Sequence, residues 1–126
     1  MKTILFPLIV IGLSILGASC TKELKYNKEE LLKKAQQADS TVTLILPDSI
    51  TTGVSCTEYT EGCLSAHIVR VQKLDFIAVE FDKEASALYA AKKFRGFYAR
   101  NWFFDDVRGE PILEKFVTEK LEAKKP

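Results

Sequence analysis

The chain has 126 residues, enough for one domain, with 18 basic and 17 acidic residues and 47% hydrophobic side chains. That much apolar content excludes a disordered chain. The first 19 residues hold a single charge, Lys2, so the remainder carries 17 charges of each sign; such a balance argues against a bulk electrostatic grip on nucleic acid or anionic lipid.

Met1-Lys2-Thr3 is a short basic start, followed by thirteen uncharged residues from Ile4 to Leu16, then Gly17-Ala18-Ser19 and Cys20. Charge, apolar stretch and small residues in that order predict a secretory signal over 1–19. The apolar stretch is shorter than the ~20 residues that cross a bilayer, and polar sequence follows it at once. Leu16-Gly17-Ala18-Ser19-Cys20 resembles the lipobox of bacterial lipoproteins. Gly17 departs from that pattern, standing where Leu, Val or Ile is usual. The resemblance covers residues 1–20 only. It implies that the Cys20 thiol carries a diacylglycerol and that Cys20 becomes the mature N-terminus. The alternative is ordinary cleavage near Ser19, leaving a free Cys20. Thr21 stands where lipoproteins of enteric type carry an Asp for retention at the inner membrane, so the resemblance favours the outer membrane. The expected location is the cell envelope or periplasm.

Residues 20–27 then read as lipidated Cys and polar tether, and 28–126 as a single domain. Asn27 with Glu30 forms a capping-box pattern, and Leu31, Leu32, Ala35 and Ala38 give a narrow apolar stripe, which predicts a helix over about 28–38. Thr41 to Leu46 alternates, with Val42, Leu44 and Leu46 on one face, and reads as a strand. Residues 47–63 form a long polar loop. In an oxidising compartment Cys56 and Cys63 should join across an eight-residue ring. The spacing is that of a staple rather than a redox CxxC site.

Leu64–Gln72 and Leu74–Phe81 are the clearest strands, joined by a tight turn at Lys73. Ile77, Val79 and Phe81 share one face and Phe76 and Ala78 the other, as suits a central strand. Asp82 is placed to cap a helix carrying Ala85, Leu88, Ala91 and Phe94. Gly96 ends it, or Phe97-Tyr98 extends it by a turn. Asn101–Val107 reads as a short strand and Val107–Glu110 as a turn. Pro111 opens a final helix with Ile112, Leu113, Phe116, Val117 and Leu121 inside and Lys124 and Lys125 at its C-terminus.

The expected fold is α+β, in the order α-β-loop-β-β-α-β-α: a small antiparallel sheet of about four strands packed by two or three helices. Its β-β-α-β portion, about 64–107, resembles part of a ferredoxin-like or RRM-type sandwich in element order alone, which leaves function open.

No nucleotide-binding, nucleophile-elbow or zincin motif occurs, and no enzyme, cofactor or metal is expected. The sole histidine, His67, shares a face with Val69 and Val71 and reads as structural. Two Cys and His67 lack a fourth ligand at zinc-like spacing. Asp105-Asp106 with Glu110 lacks a calcium-loop rhythm and reads as a solvated turn. Phe97, Tyr98, Arg100, Trp102 and Phe103 are residue types that anchor protein interfaces, and they are the candidate interaction residues. Alternation cannot bury Trp102 and Phe103 on one face, so one of them needs a second apolar layer, a partner or water. The expected function is non-enzymatic: an exported, lipid-anchored envelope protein binding an envelope protein partner. It would regulate or adapt a surface assembly such as pili or host contact, without nucleic acid. The alternative is a periplasmic small-ligand or ion-binding domain, its pocket under the 47–63 loop.

Overall fold

The computed structural model describes residues 23–46 and 53–126. The signal segment, Cys20 and residues 47–52 of the long loop lie outside the described residues. No described helix is long and apolar enough to cross a membrane.

The fold is α+β. Helix α1 spans Lys28–Ala38, opened by the full capping box: Glu30 N–H donates to Asn27 Oδ1 at 2.8 Å, and Asn27 N–H to Glu30 Oε1 at 2.9 Å. Strands β1 (Thr43–Ile45), β2 (Cys63–Val71) and β3 (Leu74–Phe81) follow, with a 3-10 turn at Cys56–Glu58 between β1 and β2. Gln72 and Lys73, both at positive φ, form the two-residue turn between β2 and β3. Helix α2 (Glu84–Phe94) leads to β4 (Phe97–Ala99) and β5 (Trp102–Asp105), and α3 (Pro111–Lys115) widens into a π turn over Phe116–Lys120.

The sheet has five strands, all pairs antiparallel, in the order β1-β2-β3-β5-β4. The strand beyond the expected four is β4. Gly96 permits it: a Cβ there would run into the Phe103 ring and the Phe104 carbonyl. Helix α2 stops one residue earlier than Gly96, with Arg95 itself taking the left-handed conformation (φ 57°). Because β5 is antiparallel to both β3 and β4, the β3-α2-β4 unit is a parallel crossover with β5 inserted in its middle.

Helices cover both faces, which makes three layers. Toward α1 and α3 the core holds Leu31, Val69, Phe76, Trp102, Phe104, Phe116 and Leu121. Toward α2 it holds Val79, Phe81, Ala87, Ala91 and Phe103. Strand β3 is central, and its apolar side chains serve both layers as its pattern requires. Trp102 and Phe103 therefore point into different layers, and each is at most 1% exposed.

Several local expectations are corrected. Asp82 does not cap α2; its carboxylate accepts from Ser86 Oγ, and the Glu84 N–H is taken by Glu23 Oε1 from the N-terminal segment. Leu46 leaves the apolar face of β1 and is 75% exposed. Lys124 and Lys125 lie past the last helical turn, and Lys124 bridges to β4. Ile112, expected inside the final helix, is 48% exposed; the inward residues there are Leu113, Phe116, Val117 and Leu121.

Candidate interaction site

Of the five candidate interaction residues, Phe97, Trp102 and Phe103 are core. They are buried because a sheet covered on both sides takes apolar side chains at successive positions. Only Tyr98 and Arg100 reach the surface, each in part. The cation–aromatic interleaving was a signal of a middle layer, not of an exposed platform.

The same hairpin does hold a long-range knot. Asn101, 2% exposed, has its side-chain amide and its backbone carbonyl hydrogen-bonded. Its Oδ1 accepts from Tyr26 N–H (2.8 Å), its Nδ2 donates to the Tyr26 and Phe81 carbonyls (3.2 Å each), and its backbone carbonyl accepts from Phe81 N–H (2.7 Å). Trp102 Nε1–H also donates to the Tyr26 carbonyl at 2.9 Å. The Arg100 guanidinium lies 4.1 Å from the Tyr26 ring centre, and Lys34 Nζ 5.9 Å from it. Arg100 adopts φ 53°, which costs a residue with a Cβ about 1 kcal/mol or more. Lys34 pairs with Glu122 at 2.8 Å, an interaction that raises the Lys34 pKa and lowers that of Glu122. The segment read as a tether is thus bound to the domain from Glu23 onward.

Cys56 and Cys63 form the expected disulfide, with Cα atoms 5.5 Å apart. Between them Tyr59 wedges its ring edge-on against Phe94 and Phe103 and donates its hydroxyl to Asp105 Oδ2 at 3.0 Å. Burial, then the Asp105 and Asp106 charges, push the Tyr59 pKa far up; burial also raises that of Asp105. Asp105 thus serves as an acceptor for Tyr59.

His67 is half-buried on the α1 face, 6.1 Å from the Trp102 ring centre, with Nε2 3.0 Å from Ser65 Oγ. Burial, and to a lesser extent Lys28, lower its pKa and favour the neutral ring. It stands between an apolar gap of about 20 Å³, room for no more than about a water, and a recess of about 80 Å³ floored by Leu44, Ile45 and Ile68. The larger hollow of about 580 Å³ between Thr60–Gly62 and the start of α2 is broad and open. Among the described residues no three His, Cys, Asp or Glu side chains converge.

No family model matches this sequence. Neither a curated protein nor a solved structure resembles it at a significant level.

The two edges of the sheet differ. At β4, Tyr98 and Lys124 exchange both backbone hydrogen bonds, at 3.0 and 2.8 Å. At β1, the tight β2–β3 turn makes Val71 and Leu74 the closing hydrogen-bonded pair. Alternation then turns Arg70 and Ile68 toward β1, opposite Thr43 and Ile45. The N–H and C=O of Leu44 point outward, and nothing among the described residues pairs with them. One residue earlier, Val42 has its N–H and carbonyl engaged by the Asp39 carbonyl and Gln36 Nε2. Next to Leu44, Leu46 is among the most exposed large apolar side chains.

Proposed function

We propose that this chain is an exported envelope protein, anchored through a lipid on Cys20, that acts without catalysis by binding a protein partner along the outer edge of β1. The observation that carries the anchor is the run from the basic start through Ile4–Leu16 to Cys20. The Cys56–Cys63 disulfide supports an oxidising compartment. What favours β1 is the pair of outward backbone groups at Leu44 beside the exposed Leu46, the combination that strand addition uses: main-chain hydrogen bonds for affinity and an apolar side chain for selectivity. Lipid anchoring would raise the effective concentration of the domain at its membrane, so a short edge of three residues could suffice. Thr21 favours the outer membrane over the inner.

Intact-mass measurement of the membrane-purified protein tests the anchor. The expected species starts at Cys20, carries acyl chains, and lacks the pair of hydrogens lost to the disulfide. A cytosolic chain retaining Met1 with reduced thiols would overturn the reading. Crosslinking in intact cells tests the edge. A defined partner is expected with the native chain and is lost with Leu46→Lys and with Leu44→Pro, which removes the outward N–H together with the packing of the Leu44 side chain on the core, so folding of that variant is checked by circular dichroism. An unchanged crosslink in both variants would move the interface elsewhere.

A further inference from the structure

The domain is bound to its own N-terminal segment almost as far back as the anchor. Glu23 accepts from the first turn of α2, and Tyr26 is locked into Asn101, Trp102 and Arg100. Two residues, Thr21 and Lys22, separate Cys20 from Glu23, and the three Cα–Cα steps of a fully extended chain cover at most about 11 Å. The polar headgroup layer on each side of the hydrocarbon core is itself about 5–8 Å deep. A lipid on Cys20 therefore leaves no free tether. Beside the docked segment lies a shallow cleft of about 250 Å³ lined by Leu24, Tyr26, Arg100 and Lys124, with Glu84 and Glu122. Leu24 is 65% exposed although it sits between two anchored residues.

We propose that this face rests on the bilayer holding the Cys20 lipid, with Leu24 dipping into the interface, so that the domain lies on its membrane in one orientation. The inference rests on the anchor reading above. The two cations of the cleft are offset by its two carboxylates, so charge does not drive the contact; the short chain and Leu24 do. One leucine alone gives only marginal membrane affinity, and the acyl chains supply the rest. Strand β4 lies at this face and β1 at the opposite end of the sheet, roughly 19 Å away at ~4.8 Å per strand. The orientation thus presents the β1 edge away from the lipid.

Trp102 is the sole tryptophan and lies directly beneath Tyr26, which makes it a built-in reporter. The membrane-purified, acylated protein is reconstituted in phosphatidylcholine vesicles containing headgroup spin-labelled phosphatidylcholine. Its emission is expected to be strongly quenched. A long Gly/Ser insertion between Lys22 and Glu23, combined with Leu24→Asp, should restore it while leaving near-ultraviolet circular dichroism unchanged. Adding phosphatidylglycerol or salt should change little. Acylated protein with unquenched Trp102 would overturn this inference alone. A protein without acyl chains would overturn the anchor reading and this inference with it. Quenching that needs anionic lipid would overturn the account based on Leu24 and the short chain.

Discussion

The two edges of the sheet are finished in opposite ways. Strand β4 is three residues long, yet it is sealed by Lys124 and backed by Asn101, Trp102 and the docked N-terminal segment. Strand β1 is equally short, but among the described residues only Val42, just before it, has its outward groups taken up. An unpaired edge invites pairing with another chain, and proteins blunt the edges they do not use. Residues drawn from both ends of the domain close one edge, whereas nothing among the described residues pairs with Leu44 at the other, which is the edge proposed above for a partner.

The comparison breaks most severely at Trp102. Trp102→Ala removes a fully buried ring and the hydrogen bond that holds Tyr26, and should cost about 3–5 kcal/mol in urea unfolding, freeing the N-terminal segment for proteolysis. On the side leading from β1, replacing both Cys56 and Cys63 by Ser should cost up to about 2.5 kcal/mol, the loop-entropy value for an eight-residue ring. The loss should fall below that value because Tyr59 still pins the segment to Phe94 and Phe103. Deleting residues 124–126 removes two backbone hydrogen bonds at β4, a cost of roughly 1–3 kcal/mol. It also makes the two edges alike, so sedimentation should show concentration-dependent association that the full-length chain lacks.

The smallest effect concerns Asp105. Its carboxyl is held above the usual range by burial, so the folded state binds protons more tightly than the unfolded one. Stability contributed at this site is present below the unfolded pKa and is lost as pH rises through the folded value. Asp105→Asn should therefore raise the unfolding midpoint slightly at pH 7 and leave it unchanged near pH 3. A larger gain in acid would reverse the assigned sign.

Much of the fold was written locally. The Asn27–Glu30 box and apolar spacing mark α1 to the residue. The alternating runs that meet at Gln72-Lys73 mark β2 and β3 within a residue or two. Strand β4 was not legible, because Phe97-Tyr98-Ala99 continues the apolar spacing of α2 and only the close approach of Gly96 to Phe103 and Phe104 forces the chain to turn. The interaction site was misread for a related reason. Sequence identifies Phe97, Trp102 and Phe103 as anchoring types, but whether such a side chain meets a partner or a second helical layer depends on what covers each face.

What the sequence by itself determined is the set of features whose forces act within a few residues: the α1 capping box, the tight turn, the eight-residue disulfide ring and the alternation of β2 and β3. The tertiary structure alone decided the five-strand order, the burial of Trp102 and Phe103 in separate layers, and the capture of Tyr26 by Asn101 across 75 residues. Those outcomes depend on hydrogen bonds and apolar contacts between segments far apart in the chain, whose partners are chosen only when the layers close on one another and exclude water.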